Sequence, residues 1–243
     1  MKSIAVYSLK GGVGKTSLAV NLAWAAATLS ERRTLLWDLD GQAGATFLLG
    51  ADSAGRAEAA HVFAGETKPA KLILSTAIER LDLLPADASL RGLDGLFHKL
   101  GKKKRLARLL VELDDYDRVV LDCPPGLADT GEQVLRAVDI IVVPVIPSPL
   151  SRRALDQVVS HLDRQQSRRG ALLPVFNMVD RRRAMHRAAL AAEPRWPVVP
   201  MASAMERMAE HRTALGSFAP GTPAAEAIAE LWRAIERRAA HGA

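Results

Sequence analysis

Short apolar runs, rich in leucine and β-branched residues, recur along the chain and are separated by stretches with helical spacing of apolar positions. The runs predict strands at 3–8, 34–38, 81–84, 118–122, 139–145, 172–179 and 197–200. The stretches between them predict helices at 15–30, 102–113, 130–138, 151–168, 184–192, 203–212 and 223–239. Because strands alternate with helices and are apolar almost throughout, the pattern predicts an α/β fold with a mostly parallel, twisted sheet and helices on both faces. No linker or repeat interrupts the pattern, so residues 1–243 are predicted to form a single domain.

A glycine-rich segment connects the first predicted strand to the first predicted helix. It reads Lys10-Gly11-Gly12-Val13-Gly14-Lys15-Thr16-Ser17. Glycines allow backbone N–H groups to turn toward phosphate oxygens, and the start of the helix adds its positive dipole end. In such a loop Lys15 reaches the β- and γ-phosphates, and the Thr16 hydroxyl binds Mg²⁺. The segment therefore predicts a nucleotide-phosphate site that includes Ser17.

The loop departs from the usual phosphate loop, which has glycine where this chain has Leu9. It resembles instead the deviant Walker A loop of the ParA/MinD family of ATPases, which carries an additional early lysine. The resemblance implies a P-loop NTPase fold that hydrolyses ATP with Mg²⁺. It also implies an ATP-dependent homodimer, in which Lys10 crosses the interface and touches the phosphates held by the other subunit.

Three carboxylates follow predicted strands. Asp38 and Asp40 close the second strand, where two residues apart on a strand would point to one face, and Asp122 ends the apolar run 118–122. By the resemblance, Asp40 orients the attacking water, Asp38 helps to hold Mg²⁺, and Asp122 is the Walker B aspartate that acts on the metal. The less favoured alternative is that Asp38 and Asp40 are strand-end carboxylates that cap a helix. Gly41 stands where the family has proline, which predicts a looser loop, and Gly126 stands where it usually has serine.

The resemblance also suggests contacts to the adenine base. Asn177 lies near the end of the predicted strand 172–179, where some relatives place an adenine-contacting asparagine, and Pro200 and Met201 end the last predicted strand. Asn177 is as readily a turn residue, because asparagine is common where strands end.

The charge balance favours a polyanionic partner. The chain has 33 Lys and Arg against 27 Asp and Glu, a formal net charge of +6. A cluster follows the strand at 172–179, and partition ATPases of this family bind DNA without sequence preference through basic residues in their C-terminal half. The cluster consists of Arg181, Arg182, Arg183 and Arg187. The alternative for these arginines is a solvated surface without a partner. For the second basic stretch, at 99–108, the alternative is that its lysines only keep a helix soluble.

The cysteine and histidine content and the length of the apolar runs exclude several classes of protein. A single cysteine excludes an internal disulfide, the six histidines lack metal-ligand spacing, and no apolar run is long enough to span a membrane. These features fit a reducing, cytoplasmic compartment. The resemblance to the ParA/MinD family further implies association with the nucleoid and a stimulating partner or cargo adaptor.

The alternative function is a MinD-like membrane-cycling ATPase that regulates division or flagellar placement. MinD-like relatives end in an amphipathic helix that binds membranes. Here the last predicted helix carries an apolar stripe, which we expect to pack on the core, and only four residues follow that helix in the sequence. The stripe consists of Ile228, Leu231, Trp232, Ile235 and Ala239. Membrane binding is therefore the less favoured prediction.

Overall fold

The structure is a computed structural model that describes residues 1–51, 58–100, 104–126, 128–164 and 170–241. Within these ranges the strands are β1 Lys2–Val6, β2 Thr34–Asp38, β3 Leu74–Ser75, β4 Leu81–Leu84, β5 Arg118–Asp122, β6 Ile140–Val145, β7 Ala171–Val179 and β8 Val198–Pro200. The helices of the first half are α1 Lys15–Leu29, α2 Gly44–Leu48, α3 Ala60–Ala64, α4 Leu93–Leu100 and α5 Arg105–Val111. Those of the second half are α6 Asp129–Ala137, α7 Pro149–Arg164, α8 Ala184–Ala192, α9 Ser203–Glu206, α10 Met208–His211, α11 Leu215–Phe218 and α12 Pro223–His241. Single 3₁₀ segments cover Pro69–Lys71 and Ala88–Gly92.

All the strands belong to one sheet in the order β3-β4-β2-β5-β1-β6-β7-β8. Every neighbouring pair is parallel except β3 and β4. In the centre of the sheet Asp122 pairs with Val6 on one side and with Asp38 on the other, so β1, β2 and β5 end in one row. Parallel sheets bind ligands beyond their carboxyl ends, and this row marks the edge where the functional loops begin.

Two apolar layers cover the sheet, one on each face. In β1, Ile4 faces the layer formed with α1 and α12, whereas Ala5 faces the layer formed with α5, α6 and α7. Both residues are fully buried, as expected for a strand at the centre of a sheet with helices on both sides. The predicted fold class is confirmed.

The apolar stripe of α12 lies inside the second layer. Ile228, Leu231, Trp232, Ile235 and Ala239 are all buried. The indole Nε1 of Trp232 also donates a hydrogen bond to the Ser30 hydroxyl at 2.8 Å. The stripe packs on the core as predicted, so it presents no apolar face to a lipid surface. None of the helices in the described part of the chain combines the length and the apolar character that crossing a bilayer requires.

The structure differs from the sequence predictions mainly in short elements. Each of the seven predicted strands is present, but β3, α2, α3, α4 and α11 were not predicted. These elements are too short, or too irregular in their apolar spacing, to produce a clear period. The single helix predicted at 203–212 is two short helices separated at Arg207. The predicted helix start at 102–103 and helix end at 165–168 lie outside the described residues.

Candidate functional site

The glycine-rich loop lies between β1 and α1 with its backbone turned for ligand contact. Gly12 and Gly14 have positive φ angles of 71° and 83°, a region that residues with a side chain rarely adopt. A side chain at Gly14 would also collide with Asn177, since a Cβ there would lie 2.5 Å from Nδ2. Gly14 is the residue before α1 and supplies no side-chain cap, so the first amides of the helix remain available. Lys15, only 7% exposed, brings a positive charge to this point.

Asp122 is the most unusual group beside this loop. Its side chain is fully buried, and neither carboxylate oxygen has a hydrogen-bond partner among the described residues. Burial raises the pKa of Asp122 well above its usual value, and Asp38 adds to this, whereas Thr16 and Lys15 lower it. An unpaired buried carboxylate is costly unless a cation joins it. Two free hard oxygens next to a threonine hydroxyl suit Mg²⁺, so the donor set fits the expected metal.

Asp38 is also fully buried, but its oxygens are occupied. The backbone N–H and the hydroxyl of Thr46 both donate to its Oδ2 at 2.9 Å, and the N–H of Asp40 donates to its Oδ1 at 3.1 Å. Burial raises the pKa of Asp38 to about 6, against the effect of these hydrogen bonds. The Thr46 hydroxyl accepts in turn from the N–H of Ala86 at 2.9 Å. Asp38 thus connects β2 to α2 and, through Thr46, to the end of β4. Its contribution to the coordination of Mg²⁺ stays a prediction.

Asp40 lies in the loop beyond β2, since the strand ends at Asp38. Strand alternation therefore does not apply to Asp40, and the expectation that both carboxylates point to one face stays a prediction. Asp40 is half-buried, and its Oδ1 accepts from the N–H of Gln42 at 3.0 Å. Its direction is set by the turn of this loop.

Gly41 makes that loop tight, contrary to the looser loop expected from the missing proline. A Cβ at position 41 would lie 2.9 Å from the backbone nitrogen of Arg91 and 2.9 Å from its Cγ. Glycine therefore permits the 3₁₀ segment Ala88–Gly92 to pack directly against the residue that follows Asp40.

In this structure the Lys10 side chain contacts a residue of its own chain. Its Nζ donates to the hydroxyl of Ser151 at 3.3 Å, in the first turn of α7. Ser151 is buried, and no motif in the sequence singled it out. The role of Lys10 across a dimer interface stays a prediction.

The residues predicted to contact adenine come together. Gly14, Ser17, Asn177, Pro200 and Met201 line one small cavity, together with Met178, Met205 and Glu206, which were not predicted. The Nδ2 of Asn177 donates to the carbonyl of Val13 at 2.8 Å, which leaves its Oδ1 as the acceptor available to a ligand. Asn177 therefore links β7 to the phosphate loop, a contact that single-sequence reasoning could not find.

The arginine cluster forms a structured loop between β7 and α8. Arg182 makes a bidentate pair with Asp180 at 2.9 and 3.0 Å, and this pairing holds the pKa of Asp180 down to about 2. Arg187 donates to the carbonyls of Arg181 and Arg182 at 3.0 and 2.8 Å. Arg181 and Arg183 are exposed, and neither has a carboxylate partner within the part of the chain that the structure describes. The four arginines thus have different surroundings.

The second basic stretch, at 99–108, gives weaker support for a DNA-binding surface. Lys102 and Lys103 lie outside the described residues. Arg105 donates to the carbonyls of Val62 and Phe63 at 2.8 and 3.0 Å, at the end of α3. It therefore supports the fold at this point.

Comparison with known proteins gives the family. Residues 1–173 match a family model described as an AAA domain. The chain is 32% identical over 186 residues to the sporulation initiation inhibitor protein Soj of Bacillus subtilis (strain 168), covering 72% of this chain and 73% of Soj. It is 30% identical over 197 residues to the chromosome partitioning protein ParA of Caulobacter vibrioides, covering 76% of this chain and 72% of that protein. The chain belongs to the ParA family. It is thus a member of a family of P-loop ATPases that partition or position cellular components.

Solved structures agree with the ParA-family fold. The apo structure of McdA from Cyanothece superposes with a TM-score of 0.83 at 22% identity, covering 96% of this chain and 98% of McdA. Cobyrinic acid a,c-diamide synthase from Mycobacterium smegmatis, solved with a bound ATP analog and magnesium, superposes with a TM-score of 0.81 at 29% identity. That match covers 98% of this ParA-family chain and 94% of the synthase.

Proposed function

We propose that this ParA-family chain is a Mg²⁺-dependent ATPase whose ATP-bound form dimerises and binds DNA without sequence preference. Its cycle would position or partition a plasmid, a chromosome region or a protein cargo, with hydrolysis stimulated by a partner protein. The observation that carries the proposal is the pair of buried, unpartnered Asp122 oxygens beside Lys15 and Thr16. The ATP analog and magnesium bound to the synthase from Mycobacterium smegmatis support the choice of ligand.

The residues of the loop suit the charge of a triphosphate. Backbone N–H groups from Gly11 to Gly14 and the start of α1 would donate to phosphate oxygens, and Lys15 would balance their charge. Thr16 and Asp122 would hold Mg²⁺, which when bound neutralises charge on the β- and γ-phosphate oxygens. Asp40, held by the tight turn at Gly41, would accept a hydrogen bond from the attacking water and orient it.

Dimerisation would move Lys10 from its present contact to the phosphates of a second copy. The hydrogen bond that it leaves, to Ser151, is long at 3.3 Å. Its donor is a charged ammonium, but its acceptor is a neutral hydroxyl. A contact to a phosphate offsets the loss of this bond, because there both the donor and the acceptor are charged.

DNA binding would use the loop between β7 and α8. Arg181 and Arg183 are exposed and lack carboxylate partners among the described residues, so both can neutralise DNA phosphates. Binding of this kind places the protein in the cytoplasm on the nucleoid.

The test compares lysine variants in one assay set. Lys15→Ala should abolish ATP binding measured by calorimetry. Lys10→Ala should bind ATP as a monomer yet fail to form the ATP-dependent dimer seen by light scattering, because the contact to the phosphates of the second copy is lost. The matched control is Lys68→Ala, an exposed lysine away from the loop that should behave as wild type. Asp40→Ala should bind ATP, accumulate as a dimer and lose turnover.

Two results would contradict the proposal. If Lys15→Ala retained its affinity for ATP, the assignment of the glycine-rich segment as a phosphate loop would be contradicted. DNA binding that is equal with ATP, with ADP and without nucleotide would remove the ATP-dependent switch.

A further inference from the structure

The hydroxyl of Tyr7 connects the strand that leads into the phosphate loop with the loop that follows Asp122. Tyr7 is fully buried directly after β1, and its backbone N–H donates to the carbonyl of Val142 in β6 at 2.9 Å. Its phenol O–H donates to the carbonyl of Gly126 at 2.7 Å. Lys10 stands three positions after Tyr7, and Gly126 stands four positions after Asp122. One short hydrogen bond therefore joins the two loops that flank the candidate site.

Local geometry shows that the fold is built around this bond. Gly126 has a φ of 107°, which orients its carbonyl in a way that other residues rarely allow. Gly131, in α6, lies against both groups: a Cβ there would be 2.8 Å from the Tyr7 hydroxyl and 3.0 Å from the Gly126 oxygen. Burial raises the pKa of Tyr7 far above its usual value, so the phenol stays a neutral donor. A buried phenol without a partner is costly, and its hydroxyl has a partner here.

We propose that Tyr7 is a positioning residue for ATP hydrolysis, which rests on the function proposed above. Its hydroxyl fixes the Gly126 carbonyl, and with it the loop residues 123–126 that follow β5, relative to the phosphate loop. Because Tyr7 is anchored to β6 at its backbone, a nucleotide in the phosphate loop meets the second loop already in its working position. Without the hydroxyl, the loop would sample other conformations and would have to be ordered in each turnover.

The chain offers a matched control, because it has only two tyrosines. Tyr116 is also buried, and its hydroxyl donates to Oδ2 of Asp82 at 2.9 Å. It precedes β5, at the opposite end of the strand from Asp122. Tyr7→Phe and Tyr116→Phe therefore each remove one hydroxyl and one hydrogen bond, but only Tyr7→Phe does so beside the candidate site.

The first measurement is steady-state ATP hydrolysis. We expect kcat of Tyr7→Phe to fall about fivefold to tenfold with KM and ADP affinity within about twofold, which is the size of one hydrogen bond lost in the transition state. Tyr116→Phe should keep both constants, although both variants lower the melting temperature.

The second measurement needs no nucleotide. Cys123, the single cysteine, is buried at the start of the same loop. Labelling of this thiol by a disulfide reagent should become at least about fivefold faster in Tyr7→Phe, because the loop opens more often when one hydrogen bond is lost. Labelling of Tyr116→Phe should match wild type.

The outcomes separate this proposal from the function on which it rests. If wild type turns over ATP and Tyr7→Phe matches Tyr116→Phe in kcat and thiol labelling, the positioning role is overturned. If wild type itself hydrolyses no ATP, the proposed function fails first, and the role of Tyr7 in turnover fails with it. Should Tyr7→Phe not fold, Gly131→Ala keeps the tyrosine but displaces its hydroxyl, and the same two results decide.

Discussion

The loop between β7 and α8 allows a quantitative prediction about DNA binding. The perturbation is the double variant Arg181→Gln and Arg183→Gln, which removes the two arginines without carboxylate partners among the described residues. Arg182 should not contribute in the same way, because its guanidinium is already paired in bidentate fashion with Asp180. The prediction is that two of the four clustered arginines carry the phosphate contacts.

The magnitude follows from counterion release. Each phosphate contact contributes about 0.9 to the slope of log affinity against log salt concentration. Loss of two contacts should therefore lower the slope by about 1.8 for each protomer on the DNA, or about 3.6 for a dimer that uses both loops. The affinity itself should fall most at low salt, where the released counterions matter most.

The assay is fluorescence anisotropy of a labelled random-sequence duplex, titrated with the ATP-bound protein at salt concentrations of roughly 50 to 200 mM. The control is Asp180→Asn combined with Arg182→Gln, which removes the ion pair and leaves the net charge of the loop unchanged. It should keep the wild-type slope. An unchanged slope in the double variant, or an equal decrease in the control, would refute this division of the cluster.

Two further predictions concern the carboxylate end of the sheet. Asp122→Asn removes the unpartnered buried charge next to Asp38. The nucleotide-free protein should therefore gain about 1 kcal/mol of stability and melt roughly 2 to 4 °C higher. In the same thermal melts, ATP with Mg²⁺ should no longer stabilise the variant more than ATP with EDTA does. Lower stability without nucleotide would speak against an uncompensated charge. Gly41→Ala should lower the free energy of unfolding by about 1–3 kcal/mol in urea titrations and reduce turnover, because its Cβ meets the Arg91 backbone. Gly95→Ala, with open space at its Cβ, is the control and should cost nothing.

The fold was predictable because its signals are local. Central strands such as Ile140–Val145 are apolar without interruption, which only a sheet covered on both faces requires. The loop from Lys10 to Thr16 combines a strand, glycines and a helix start in a fixed order, and each has its own physical reason. The strand β3 has only two residues and pairs antiparallel at the sheet edge, so no periodic signal could reveal it.

Contacts between distant segments were not predictable. The bonds from Ala86 to Thr46 and from Tyr7 to Gly126 depend on how segments that are far apart in the sequence meet, and composition carries no information on that. The pairing of Arg182 is different, because Asp180 stands immediately before the cluster. A carboxylate two residues away was a readable signal that one arginine of the group would be neutralised.

The strand order has a consequence for how the chain folds. β1 is made before β5 and β6, yet it lies between them, and its first residue, Lys2, pairs with Arg118. Until those strands leave the ribosome, β1 and the apolar helix α1 behind it have no sheet to join. Such non-local pairing slows folding and exposes apolar surface in the meantime. The segment that carries the phosphate loop is therefore synthesised well before the strands that flank it and is completed late, so its apolar surface stays exposed to aggregation or chaperone binding during that interval.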